Sequence, residues 1–233
     1  MKVQIASKSI WRLSVPIIFA GISETIVDIT DAIFLGHYGI TELGAIALAD
    51  AIYEVAIVAL AGLVDGVQIV VARRAGQDRP RDVGHTFNQG LHLLALAALA
   101  STALIKFASP QLTSFAIESD AVRLAVNSFL HIIAWSAFFQ TANFAYSALY
   151  VGVSRSWVLV VATFILALTN IGLDYCLIFG HLGFPRLGIE GAALGSLAAE
   201  IATFVFLTAY SLIHPAMKTY GLFRFRKWDE HLS

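Results

Sequence analysis

The stretch IWRLSVPIIFAGISETIVDITDAIFLG, Ile10 to Gly36, is long and apolar enough to cross a membrane, yet it carries three carboxylates. Glu24, Asp28 and Asp31 stand at i, i+4 and i+7, so a helix lines them up in one stripe with no basic partner beside them. A charge near the middle of a bilayer costs about 2.5–3.5 kcal/mol on insertion scales, so such residues face a wet interior and mark an ion or substrate path. The stripe points to a membrane protein that moves something, coupled to protons or sodium.

Composition supports that reading. Of 233 residues, 58% are hydrophobic and 13% charged, and the mean hydropathy is +0.76. A soluble domain carries about 25% charge. The net charge of −1 offers no field to draw nucleic acid. The single cysteine, Cys176, excludes an intramolecular disulfide and a multi-cysteine metal site. After Lys2 and Lys8 the apolar run has no small-residue cleavage site and continues into a full span, so the N-terminus does not read as a cleavable signal.

Six apolar segments are predicted to span, at residues 10–36, 45–75, 83–108, 121–152, 156–180 and 191–214. The expected fold is an all-α integral membrane bundle of six transmembrane helices, a single unit over residues 1–233. Breakers set the boundaries: Gly36-His37-Tyr38-Gly39, Gly76-Gln77-Asp78-Arg79-Pro80, Ser109-Pro110, the run from Gly180 to Pro185, and Pro215. With the N-terminus inside, only Lys106, Arg123 and Arg186 of the 15 basic residues fall outside, so both termini are expected to be cytoplasmic.

The spans hold further acids: Asp50, Glu54 and Asp65 on one expected face of the second, Asp174 four residues after Asn170 on the fifth, and Glu200 in a Ser196, Glu200, Thr203 stripe on the sixth. The topology puts Asp31, Asp50, Glu54, Asp174, Ser196 and Glu200 in the outer half of the bilayer, so several helices deliver acids to one layer. Acids clustered in low dielectric cannot all be ionised together, which suits a proton-coupled carrier and a pocket for cations. Taken singly, Glu24, Asp28 and Asp65 read equally well as packed polar residues. His85, His92 and His131 read as interfacial or packing residues. Trp135, Phe138, Phe139 and Phe144 could stack on a flat cation but read first as packing. Gly62 and Gly66 form a small-xxx-small pair expected at a close helix contact. No Gly-rich phosphate loop, Ser/His/Asp set or His-Glu-x-x-His pattern appears, so neither an ATPase motor nor an enzyme is expected, and no cofactor.

Four motifs then resemble one family in order. Thr30-Asp31-Ala32-Ile33-Phe34-Leu35-Gly36 followed by Gly39 resembles the end of the first helix of multidrug and toxic compound extrusion (MATE) transporters. Val71-Ala72-Arg73-Arg74-Ala75-Gly76 resembles their second-helix exit, and Asn170-Ile171-Gly172-Leu173-Asp174-Tyr175-Cys176-Leu177-Ile178-Phe179-Gly180 their fifth-helix signature. Gly183-Phe184-Pro185 and Gly188-Ile189-Glu190-Gly191-Ala192-Ala193-Leu194-Gly195-Ser196 resemble the entry to helix six.

The resemblance implies an antiporter of a bacterial inner membrane that exports cationic or amphiphilic compounds in exchange for H⁺ or Na⁺. It implies an ion-coupling site at Asp31, Asn170 and Asp174, with Ser196 where the family often has Thr. Asp28, Glu54 and Glu200 join these as cavity residues, and a sodium ion could sit on Asp31, Asn170 and Asp174. The acids beyond Asp31 and Asp174 exceed what a typical member carries. A family member has twelve helices in two six-helix lobes, and this chain supplies one. Its expected partners are therefore the small substrate, the lipid bilayer, and either a C-terminal lobe or a second copy of itself in a homodimer. A lipid-linked saccharide flippase is the rival within transport, and a non-transporting remnant or assembly partner is the rival outside it.

Overall fold

The computed structural model describes residues 7–223. Lys2, Arg224, Arg226 and Lys227, which enter the charge argument, lie outside the described residues. Eight α-helices follow in order: α1 (Ser7–Tyr38), α2 (Ile40–Gly76), α3 (Pro80–Ala116), α4 (Asp120–Ile133), α5 (Ser136–Gly152), α6 (Trp157–Phe179), α7 (Ile189–Ile213) and the short α8 (Pro215–Lys218). A 3-10 turn, His181–Gly183, joins α6 to α7.

By length and apolarity α2, α3, α6 and α7 can each cross a membrane, and α4 and α5, bent by 47° at their junction, are long and apolar enough only when taken together. At 32 residues α1 is about 48 Å long, more than a bilayer core, but unlike these four it is not apolar enough by composition to stand with them, because it carries Glu24, Asp28 and Asp31.

Local sequence explains most boundaries. Gly39, in an extended conformation, parts α1 from α2. Arg73 and Arg74 sit in the last turn of α2, where cations complement the helix dipole, and the Arg74 guanidinium reaches on to the Asp82 carbonyl at 3.1 Å. Pro80 opens α3 and Pro215 opens α8, at first-turn positions whose N–H would be unpaired anyway. Gly180, at φ +77°, gives α6 a left-handed cap.

Two boundaries differ from expectation. Helix α3 does not stop at Ser109-Pro110 but runs to Ala116. Beyond the proline the Thr113 hydroxyl donates to the Pro110 carbonyl at 3.2 Å and to Oδ1 of Asn127 on α4 at 3.1 Å, tying the continued turn to the neighbouring helix. The fourth apolar segment is two helices, broken at Ala134-Trp135 with neither Gly nor Pro. The carbonyl freed there at Ala134 accepts the Thr102 hydroxyl of α3 at 2.9 Å, inside the protein.

Helix α1 lies against α6, α6 against α7, and α2 against α3, α4 and α5. Side chains form two main cores. One, built on Val71, Phe87, Tyr146, Tyr150 and Leu207, closes the end that holds the α2–α3 turn. The other, built on Leu35, Ile46, Phe129, Leu130 and Ile178, closes the opposite end. The polar residues of the interior lie between them.

Candidate functional site

Between the two cores is an open cavity of about 480 Å³. Six carboxylates line it: Glu24, Asp28 and Asp31 from α1, Asp50 and Glu54 from α2, and Glu200 from α7. No Lys, Arg or His of the described residues does so. Asn170 of α6 and Ser196 of α7 also line it, joined by an Asn170 Nδ2 to Ser196 Oγ hydrogen bond of 3.1 Å. Asp174, one turn beyond Asn170 on the same face, is fully buried behind them.

The innermost part of the site is the Asp31–Asp174 pair. Their carboxyls lie within interaction range of each other. Oδ1 of Asp31, Oδ1 of Asn170 and both side-chain oxygens of Asp174 are buried and have no hydrogen-bond partner among the described residues. Buried oxygens are normally satisfied, so four orphans in one place call for a missing donor or cation. Two neighbouring carboxyls without a base between them share a proton or hold a cation. The oxygen-only donor set suits either a proton or a hard monovalent ion such as sodium.

Glycines on α7 make the approach of α6 possible. A Cβ at Gly191 would meet the Leu177 carbonyl group at 2.7–2.8 Å, and one at Gly195 would collide with Oδ1 of Asp174. Gly191 and Gly195 are the small-xxx-small contact of the described lobe. Gly62 and Gly66, expected in that role, have nothing within 4 Å of an added Cβ and are exposed.

A second polar layer lies away from the Asp31–Asp174 pair. Tyr53 of α2 donates to Oε1 of Gln140 on α5 at 2.9 Å. Asn143 of α5 donates through Nδ2 to the Glu200 carbonyl at 3.0 Å and to Oε2 of Glu200 at 2.6 Å. Further along the same helix pair, hydroxyls meet at 2.8 Å between Tyr146 and Thr208 and at 2.6 Å between Tyr150 and Ser211.

The cavity thus gathers Asp28, Asp31, Glu54, Asn170, Ser196 and Glu200, with Asp174 behind them. Asp65, expected on the face of Asp50 and Glu54, does not line it. Asp65 keeps nearly the angle of Glu54 but stands eleven residues, about 16 Å, further along α2, past the end of the cavity. Of the four aromatics considered for stacking, Phe144 alone lines the cavity. Phe138 and Phe139 pack edge to face with each other, and the Trp135 ring lies 4.5 Å beneath the Lys106 ammonium. Tyr53, Ser136, Gln140 and Asn143 are cavity residues that sequence reasoning did not single out.

A family model, MatE, matches residues 16–176. The chain belongs to the MatE family. It is 29% identical over 211 residues to a probable multidrug resistance protein NorM of Rhizobium meliloti (strain 1021), covering 91% of this chain and 45% of that protein. Among solved structures it resembles the outward-facing conformation of a multidrug resistance MATE family transporter of the MOP superfamily, with a TM-score of 0.83 at 24% identity over 92% of this chain and 47% of the other. It also resembles a MOP superfamily transporter from Pyrococcus furiosus Vc1, described as having a binding pocket of reverse polarity that suggests a different function, with a TM-score of 0.80 at 27% identity over 91% of this chain and 46% of the other. The chain spans about half the length of the relatives it matches. Its fold is that of MATE transporters, a multi-pass all-α membrane protein.

Proposed function

We propose that this chain forms one lobe of a secondary antiporter that exports cationic or amphiphilic compounds in exchange for H⁺ or Na⁺. The observation that carries the reading is the buried Asp31–Asp174 pair at one end of a cavity lined by six carboxylates and, among the described residues, by no base. The pair, with Asn170 and Ser196, is the ion-coupling centre, and the other cavity acids attract the cationic substrate. Ion binding at the pair changes its charge, and with it the packing of α1 against α6 and α7. Alternating access then releases substrate outward.

In this reading the chain crosses a bacterial inner membrane six times, with α4 and α5 as one broken crossing and both termini in the cytoplasm. Its cavity is completed by a C-terminal lobe or by a second copy of the chain, because a lone lobe would leave cavity-facing acids against lipid. A saccharide flippase needs bases to hold a pyrophosphate, and the cavity lining favours cations instead.

The test is efflux by the assembled carrier with Asp31→Asn or Asp174→Asn. Each variant is expected to insert at wild-type levels and to lose ion-driven efflux. Full efflux in both would overturn the assignment. The mass of the complex in nanodiscs, taken on the same preparation, separates a two-copy carrier from a chain that works only with another lobe.

A further inference from the structure

Glu200 lies one turn beyond Ser196 on α7 and has a bonding arrangement of its own. Asn143 of α5, 8% exposed, commits Nδ2 to both the carbonyl and the carboxyl of Glu200. The other end of that amide, Oδ1 of Asn143, is buried with no partner. An amide with one end bound to a carboxyl and the other end empty suits a carboxyl that alternates between two charge states. The ionised acid accepts from Nδ2. The neutral acid needs an acceptor for its O–H, and the unused Oδ1 becomes one when the amide turns over.

We propose that Glu200, held by Asn143, is a second proton-binding site of this lobe, separate from the Asp31–Asp174 centre. A hydronium ion entering the cavity gives its proton to a carboxyl oxygen of Glu200 and leaves as water, the side chain passes from −1 to neutral, and the new O–H donates to Oδ1 of Asn143. The groups that face Glu200 are Glu24 from α1 and Tyr53 from α2, with Glu54 of α2 on the wall of the same cavity. From α5 they are Gln140 and Asn143, while α4 and α6 contribute no acid or base beside Glu200. Among the described residues, no basic side chain stands beside this carboxyl.

The second site also has a mechanical partner. Asn143–Glu200 is the first of three polar rungs between α5 and α7, ahead of Tyr146–Thr208 and Tyr150–Ser211. It is the one rung whose strength depends on charge, since a hydrogen bond to an ionised carboxylate is roughly twice as strong as a neutral one. Protonation loosens that rung and leaves the other two in place.

This inference rests on the antiport reading above, and infrared difference spectroscopy between acid and alkaline pH, on the full chain in membranes, separates the two. Wild type is expected to show distinct carboxylic C=O bands for the two sites. Glu200→Gln should remove one band and keep the Asp31–Asp174 band; the paired Asp31→Asn and Asp174→Asn variant should do the reverse. Asn143→Leu should shift the Glu200 band alone, and it carries the test if Glu200→Gln does not insert. An unchanged spectrum in Glu200→Gln, or in Asn143→Leu, overturns the second site. An unchanged spectrum in the paired variant counts instead against the coupling centre.

Discussion

Gly195 of α7 stands directly against Asp174 of α6, so close that a Cβ on residue 195 would occupy the position next to Oδ1 of the carboxyl. The buried acid and the missing side chain are two halves of one feature. Helix α6 can present a fully buried carboxyl at this depth only because α7 gives up a side chain opposite it.

Gly195→Ala is therefore expected to lower stability by about 1–3 kcal/mol through overpacking and to displace Asp174 from Asp31. Gly172→Ala, inside α6 with nothing within 4 Å of its Cβ, is the matched control and should hold or raise the unfolding midpoint. Thermal unfolding in detergent reads both.

The entry to α7 gives a second expectation. Gly188 has φ +58° and ψ −127°, and a Cβ there would lie 2.7 Å from the Tyr38 ring, under which the Arg186 guanidinium is stacked at 4.6 Å. Gly188→Ala should cost about 1–3 kcal/mol from backbone strain together with the clash. Gly183→Ala, also at positive φ (+85°) but facing open space, isolates the strain and should cost less. Equal losses in the two would show that the Tyr38 contact is unimportant.

The break in the α4–α5 crossing depends on Thr102. Its hydroxyl satisfies the Ala134 carbonyl inside the protein, so Thr102→Val should cost about 0.6–1.7 kcal/mol, and Thr102→Ser should restore most of it. Reversible unfolding in mixed micelles measures the difference.

Tyr150 and Ser211 should couple in a double-mutant cycle. Tyr150→Phe and Ser211→Ala each remove one side of a buried 2.6 Å hydrogen bond, and the double variant should lose about 0.6 kcal/mol less than the sum of the singles. Strict additivity would mean that the rung contributes nothing between α5 and α7.

Some of this site is legible in the chain itself. Asp31 and Asp174 stand out because a carboxylate inside an apolar run needs a polar destination, and Asn170 follows from its i, i+4 spacing to Asp174. Asn143, Gln140 and Tyr53 are neutral polar residues in apolar spans, and nothing in their spacing says where they point. The direction of Asn143 depends on the 47° bend at Ala134-Trp135, and that bend has no Gly or Pro to announce it. Pro110 errs in the opposite sense, as a breaker that the surrounding helix absorbs. Gly62 and Gly66 have the right spacing for helix contact, yet they sit on an exposed face of α2, while the same spacing at Gly191 and Gly195 makes the contact. Spacing fixes which residues share a face, and packing decides which face is used.

On the proposed reading, Asp31 and Asp174 exchange their bound ion against the substrate. The most direct measurement is ion release on substrate binding: add a cationic substrate to the assembled carrier in weakly buffered detergent solution, and record protons and sodium released per substrate bound. Wild type should release at least one ion per substrate, and the Asp31→Asn, Asp174→Asn double variant should release fewer by at least one, with the protein still folded. Equal release by the two proteins would contradict the assignment of this pair as the coupling centre.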